Sequence, residues 1–492
     1  MQSHPAGERG DAGVDLVART LPDGVATGPM PWLREKLNRP RVVALIPAFN
    51  EETTIEKTIV SLLRQTRPPD LIAVIANNCT DQTAVRAAKL KAMWMAASVI
   101  VLDLHNLKNG KAEALNIAWD SLGRDADLIM TVDADSELPP HAVASWIAEF
   151  AADPALGGSS PQVVMTGSSL LCRMQRLEFA KSATFGLKRA KTSVVSGTGC
   201  CYRNKALHEV ALRPEQPGAP WNYGSIVEDF YLTYRIRQAG WKARVSPSVW
   251  CDTGSMKTLK ALWYQRVKWQ TGTTADLIGF GFGRLTWRDW GLQALNLVMI
   301  SYWLLWASLL TRDFMNGGAT LTWHWLVIPA AFAGTELLHC RKIRGRDWID
   351  VVIAAALVPS LVFSLMNVGW CVASWRKVMS GEADHKQKLW EAQAIAEGII
   401  RAGELETVNA AQPGRYPLPA RSAGPPEKGR LGRQGAAGVR CRDMRPGRLS
   451  GLPGDAAAGY QPGGRRDLPE SRRDLHPEIP VLHRLHRAEQ AW

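Results

Sequence analysis

RVVALIPAFNEETTIEKTIVSLLRQ, residues 41–65, is the stretch that decides the architecture. Val42–Pro47 is a short apolar run closed by proline, and apolar side chains then return at Ile55, Ile59, Leu62 and Leu63, the spacing of one helix face. The unit is therefore strand, loop, helix, and it recurs. LIAVIA at 71–76 leads through the turn NNCTD into a helical pattern ending near Lys91, and VIVLDL at 99–104 is a third strand. NGKAEALNIAWDSLG contains the next helix, and Asp127–Val132 is a fourth strand that runs into Asp133-Ala134-Asp135. Strands that are apolar almost throughout are covered on both faces, so the pattern predicts an α/β fold with a mostly parallel, Rossmann-like sheet. Ligands of such sheets lie at the carboxyl ends of the strands, where PAFNEE (47–52), NNCTD (77–81) and the Asp133/Asp135 pair all fall.

Outward from this core the composition changes. Residues 142–262 mix helix and strand signals, with a long amphipathic stretch from Ser169 to Lys188, and they complete the sheet. Apolar residues then crowd between Leu292 and Trp375, giving three candidate membrane segments: Leu292–Leu310, Trp323–Leu338 and Ile349–Trp375, the last with Pro359 as an expected kink. The basic connection CRKIRGRDW at 340–348 is expected on the cytosolic side, together with the preceding α/β domain. Residues 1–38 read as a flexible arm with a short interfacial stretch near Trp32, 39–278 as the cytosolic domain, 279–390 as an interfacial helix with two or three membrane helices, and 391–492 as a polar, largely disordered tail. No secretion signal is read at the N-terminus. The net charge of +13 is scattered beside the apolar segments and through the tail, which points to membrane lipids and away from nucleic acid. Eight cysteines without a C-x-x-C spacing give neither a disulfide framework nor a zinc site, and Cys200-Cys201 reads as buried filler.

Four stretches carry chemistry. Asp133 and Asp135 offer adjacent hard oxygens for Mg2+ or Mn2+, although a solvated turn explains an Asp-x-Asp equally well in isolation. Lys111 opens a helix behind Gly110, where an ammonium and free backbone amides favour phosphate oxygens; alone, it would be a solvated loop lysine. Glu228 and Asp229 precede the helical run Phe230–Gln238, where acids also suit a helix start for purely structural reasons. QRVKW, 265–269, places Gln265, Arg266, Lys268 and Trp269 just ahead of the apolar segments, and its bland reading is an amphipathic helix at the headgroup level.

In this order PAFNEE, NNCTDQT, NGKAEALN, Asp133-Ala134-Asp135, VEDF and QRVKW resemble a membrane-bound family 2 glycosyltransferase, the group that holds cellulose, hyaluronan and poly-N-acetylglucosamine synthases. The resemblance covers roughly residues 40 to 390 and implies a GT-A-type domain. It implies a UDP-sugar donor, with Ala48, Asn50, Glu51 and Asp81 lining the nucleotide pocket. Asn77 stands where relatives often carry an acidic residue against the base. It further implies metal and diphosphate binding by Asp133 and Asp135, a diphosphate clamp of Lys111, Arg266 and Lys268, a small-residue turn at Gly197-Thr198-Gly199 near the acceptor, and Trp269 as acceptor platform. Lys268 replaces the Arg that relatives usually carry, and Gly254 and Met256 stand where they often have Glu and Pro. Asp229 is implied as the base of a single displacement, which inverts an α-linked donor into a β-linked product. The implied activity is transfer to a hydroxyl of a glycan or lipid acceptor by an integral protein of the cell membrane. Within it a polysaccharide synthase competes with single addition to a lipid. Three membrane segments are few for one subunit to enclose a channel, which leaves room for a homo-oligomeric pore. A non-catalytic membrane-tethered nucleotide-sugar binding protein is the rival from another class, and an unaltered VEDF argues against it.

Overall fold

The computed structural model describes residues 39–94, 98–189, 191–316, 324–382 and 386–401. The expected N-terminal arm, with Trp32, and the tail beyond residue 401 lie outside the described residues. The described residues all belong to the first of two units into which the chain divides, Met1–Arg415.

Four strands, β1 (Val42–Ala48), β2 (Leu71–Asn77), β3 (Val99–Leu104) and β4 (Leu128–Val132), alternate with helices α1 (Ile55–Leu63), α2 (Thr83–Met93) and α3 (Gly110–Ala118). Then follow α4 (Ala142–Ala152), β5 (Leu156–Thr166), α5 (Leu170–Arg189), β6 (Gly199–Arg203), α6 (Asn204–Ala211), α7 (Glu228–Gln238) and β7 (Lys242–Gly254). The strands form one sheet in the order β3-β2-β1-β4-β6-β5-β7. β3, β2, β1 and β4 are mutually parallel, β6 runs against both β4 and β5, and β7 is parallel to β5. The order reverses between β1 and β4, so the loops after Ala48 and Val132 open side by side and form a crevice at the strand ends.

Every residue of β1 is buried, and its side chains divide strictly by parity. Val42, Ala44 and Ile46 join Ile55, Ile59, Leu62 and Trp146 on one face, while Val43 and Leu45 join Leu115, Trp119, Tyr202 and Trp221 on the other. This is why the strand reads as an unbroken apolar run. The loops after the first three strands turn through Asn50 (φ 52°), Asn78 (φ 52°) and Asn106 (φ 64°), left-handed positions that asparagine tolerates better than most residues. Cys200 and Cys201 are buried in the two cores, as filler.

The helical half differs from expectation in detail. It comprises α8 (Leu259–Phe280), α9 (Trp287–Met315), α10 (His324–Cys340), α11 (Trp348–Ala355), α12 (Leu357–Met379) and α13 (Lys386–Glu397). Among the described residues one stretch, Val358–Met379, is long and apolar enough to cross a membrane, judged by length and composition. Leu292–Leu310, expected as the clearest span, is the middle of α9 and exposes Leu292, Leu295, Val298, Leu304 and Leu305. The expected segment Ile349–Trp375 is two helices. The chain breaks at Ala356 (ψ 123°), three residues before Pro359, because a proline in mid-helix would collide with the carbonyl of Ala355, whereas it fits the first turn of α12. The boundary expected at 390/391 is crossed by α13, where Leu389 and Ala394 are buried and Trp390 meets Phe49 edge-on at 4.7 Å between ring centres.

α5 fastens the two halves together. Its Arg173 donates both terminal nitrogens to Asp347 (2.6 and 2.7 Å) and one to Asp350 (2.9 Å), Arg176 reaches Asp350 at 3.2 Å, and Lys181 reaches Glu336 at 2.5 Å. Asp347 in turn caps α11, accepting from the Asp350 amide while Asp350 accepts from its own.

Candidate active site at the sheet rim

The crevice between the β1 and β4 loops gathers most of the expected site residues. Asp133 begins the loop after β4, and its amide donates to the Thr198 carbonyl at 3.1 Å, so the small-residue turn lies directly beside the acidic pair. Lys111, one residue inside α3, gives its ammonium to Asp133 at 2.6 Å and to Glu228 at 3.3 Å. Asp229, in the first turn of α7, accepts from the Gly197 amide at 3.2 Å and from the Phe230 amide at 2.8 Å. Gly197 leaves room for the Lys111 ammonium: a Cβ there would sit 2.9 Å from its nitrogen, which would have to shift, and 3.9 Å from an Asp133 oxygen. Asp135 lies one turn further along, 3.3 Å from the Thr253 hydroxyl.

The two carboxylates of the VEDF stretch are in different electrostatic states. Burial disfavours ionisation of Glu228, but Lys111, Lys386 and Lys268 outweigh it and hold the carboxyl below its usual range. Burial also dominates at Asp229, and the neighbouring Glu228 charge adds to it, pushing this carboxyl up to about 6 against the pull of Lys111. One acid is thus fixed as an anion and the other is poised to take a proton near neutrality, the division of labour that acid–base chemistry requires. Burial opposes the charge on Lys111 as well, but Asp133 and Glu228 hold it protonated.

On the β1 side, Glu51 is pushed up to about 7 by burial, with the charges of Asp135 and Asp133 adding to it. Three carboxyl groups therefore share one field, and a divalent cation would relieve their repulsion. Among the described residues, however, no three His, Cys, Asp or Glu side chains converge as a self-sufficient metal cage. The donor set suits a hard cation held by one or two carboxylates and completed by phosphate oxygens, the habit of Mg2+. Asn77 is 5% exposed, and its Oδ1 is buried with no hydrogen-bond partner. Such an orphaned acceptor calls for a donor from outside the chain.

Other expected residues serve the loops themselves. Asn50 accepts from the Thr80 amide at 2.8 Å, and Asp81 accepts from the amides of Glu52 (3.0 Å) and Thr83 (2.9 Å), so the first two strand loops are tied to each other. Ala48 is the buried last residue of β1. On α8, Gln265 is buried, and Lys268 lies within charge reach of Glu228, Glu397 and Asp133. Arg266 departs from expectation. It is buried, gives one terminal nitrogen to Glu178 of α5 at 2.7 Å and lies over Trp269 (4.6 Å) and Phe179 (5.3 Å), on a side of α8 away from Lys268, while its Nε is buried without a partner. The reason is helical geometry, since Arg266 points about 200° around the axis from Lys268 at 100° per residue. Trp269 packs with Val227, Phe230 and Leu277, and one ring face carries the Arg266 guanidinium.

The family 2 glycosyltransferase model, described as glycosyltransferase like family 2, matches residues 40–272. These residues belong to glycosyltransferase family 2. The glycosyltransferase domain is 28% identical over 238 residues to poly-β-1,6-N-acetyl-D-glucosamine synthase of Staphylococcus aureus, covering 47% of this chain and 54% of that protein. It is 24% identical over 257 residues to the probable glycosyltransferase YdaM of Bacillus subtilis, covering 51% of this chain and 59% of that protein. The chain thus spans little more than half the length of the curated relatives it matches. A solved mannosyltransferase of Pyrobaculum calidifontis, in complex with GDP-Man and Mn2+, aligns over 66% of this chain and 87% of its own at 20% identity and a TM-score of 0.47.

Three groups at the rim carry no sequence motif. Asp276, on α8, accepts from the Ser225 hydroxyl at 2.8 Å and is pushed up to about 7 by burial, with the Asp229 and Glu228 charges adding to it. It falls seven residues after Trp269 and eleven after Gln265, two and three helical turns along one face, and that period was the available signal. Lys386 donates to the Tyr223 carbonyl at 3.3 Å and faces Glu228 and Asp276. With Glu397 it comes from α13, in a polar stretch whose single tryptophan was the one hint of packing.

Proposed function

We propose that the chain is an inverting β-glycosyltransferase that moves a sugar from a UDP-sugar to a hydroxyl of a glycan at the cytosolic membrane face, as a polysaccharide synthase. The observation that carries this reading is the meeting of Asp229, Gly197, Lys111 and Asp133 at one rim. A site for binding alone has no use for a carboxylate raised toward neutrality beside a lysine-held phosphate position.

Asn77 Oδ1 accepts the imide N–H of uracil, which supplies its missing partner. Lys111 and Lys268 balance the charge of the diphosphate, and Asp133 and Asp135 would hold Mg2+ or Mn2+ against its oxygens. When bound, that ion neutralises charge developing on the departing pyrophosphate. Asp229 takes the proton of the acceptor hydroxyl while that oxygen attacks the anomeric carbon from the face opposite the leaving UDP, so configuration inverts. Glu228 keeps Lys111 in place and its negative charge keeps Asp229 basic. Trp269 offers an aromatic surface to an apolar sugar face of the acceptor. Val358–Met379 anchors the domain to the membrane where the product leaves.

Radiolabelled UDP-sugars offered one by one to membranes that contain the protein test the reading and identify the sugar. A polymer synthase gives a ladder or high-mass smear on a gel, and single addition gives one band. Transfer that persists undiminished in Asp229→Asn would remove the assigned base, since the amide cannot accept the proton.

A further inference from the structure

A cavity away from the rim residues lies at the β7 edge of the sheet, between α5, β7 and the loop after α10. It encloses about 450 Å³. Its floor is apolar, formed by Val163, Val164, Ala180, Ala183 and Leu187, while Arg176, Lys188, Lys342 and Arg344 stand around it and no acidic side chain lines it. The cations are not equivalent. Arg176 is spent on Asp350 and on the carbonyls of Met165 and Gly167, and Arg344 lies over the Trp250 ring. Lys188 and Lys342 make no ion pair among the described residues, and both are exposed. Two unspent ammonium groups above a hydrocarbon floor ask for one molecule that is anionic at one end and apolar at the other.

The surroundings say where that molecule comes from. Phe185, on α5, is 49% exposed, Leu338 and Trp348, on the helices either side of the loop that lines the cavity, are 59% and 73% exposed, and Arg341 and Arg346 extend that basic loop. Exposed aromatic and aliphatic side chains beside a basic loop are the signature of a surface that rests at a lipid headgroup layer. α12, the helix able to cross a membrane, follows α11 after one residue.

We propose that this cavity binds an anionic phospholipid, with the phosphodiester between Lys188 and Lys342 and the first part of an acyl chain on Val163, Ala183 and Leu187. The occupant seats the catalytic domain against the membrane through α5, the helix that also holds Asp347 and Asp350. The site is separate from the rim and stands or falls independently of the transferase reading.

Native mass spectrometry of the detergent-solubilised full chain, titrated with phosphatidylglycerol, with phosphatidylcholine or with inorganic phosphate, tests it. One phosphatidylglycerol is retained in preference to phosphatidylcholine, and Lys188→Gln with Lys342→Gln lowers retention by roughly fivefold for each cation removed. Arg341→Gln with Arg346→Gln, on the same loop but off the cavity wall, leaves retention unchanged; an equal loss there would mean diffuse charge attraction and overturn the site. Ala183→Trp fills the floor without touching a cation and expels the lipid. Retention that survives Ala183→Trp, or that shows no headgroup preference, refutes the proposal, and displacement of the lipid by inorganic phosphate alone assigns the cavity to a free anion instead.

Discussion

Two clusters of charge in this structure are built on opposite terms. At the joint between α5 and α11, Arg173 and Arg176 meet Asp347 and Asp350 in a closed set, with the backbone amides of the cap filling the remaining acceptors. At the rim, Glu51, Asp133, Asp135, Glu228, Asp229 and Asp276 outnumber the ammonium groups of Lys111, Lys268 and Lys386, and three of the acids are pushed to about 6 or 7. The joint is complete and holds the fold; the rim is incomplete and waits for outside charge. The same residue types thus give structure where they are matched and chemistry where they are left in excess.

The contrast breaks most sharply at Asp229. Asp229→Asn is expected to lower kcat by about 10²–10⁴-fold while donor affinity and thermal midpoint stay near wild type, measured by initial rates and UDP-sugar protection. Asp135→Asn comes next: transfer falls by roughly a hundredfold or more, and a titration with Mn2+ shifts to higher concentration, because several kcal/mol of charge stabilisation pass through that ligand. If either loss appears only as unfolding, the rim is structural and the comparison fails.

At the joint the reverse is expected. Arg173→Ala leaves the buried Asp350 with Arg176 as its one remaining cation among the described residues and removes the partner of Asp347, a cost of about 1.5–3 kcal/mol, so the thermal midpoint drops by several degrees while the rate per folded molecule is preserved. A loss of rate without a loss of stability would show that the two clusters are coupled.

Two pH experiments sharpen the picture at smaller amplitude. Asp229 must be ionised to accept a proton, so kcat/KM is expected to fall tenfold per pH unit below about 6 and to level off above it. Asp276 holds its proton more tightly in the folded chain than in the unfolded one. Its contribution to stability is full below about pH 4 and is lost as pH rises through about 7. Asp276→Asn keeps an acceptor for Ser225 and is expected to flatten that part of the stability profile, followed by thermal melts between pH 5 and 8.

Much of the fold was legible because β1, β2 and β4 are buried on both faces, which forces the continuous apolar runs of a covered parallel sheet. The meeting of the strand-end loops, with Asp133 among them, was legible because topology brings those ends together, whereas Asp229, at the start of α7, was singled out by the resemblance of VEDF. The spacing of Arg266 and Lys268 in QRVKW says nothing by itself of what each meets; the helix turned one cation to Glu178 and left the other toward Glu228. α13 was invisible for a different reason: a short polar helix is stabilised by what it lands on, here Phe49, and not by its own pattern. The expected segment Ile349–Trp375 was read as one run because length and hydropathy are local, whereas the break at Ala356 follows from where Pro359 falls in a helical turn.

The sequence by itself determined the sheet, its helical cover and the acids at its edge, because burial on two faces and strand-end placement are written in period and order. Tertiary structure alone decided which acid is held as an anion and which is raised toward neutrality, which lysines remain unspent, and that a distant helix lends Lys386 and Glu397 to the site. Those properties depend on distance and solvent exclusion between residues far apart in the chain, and no local pattern encodes either.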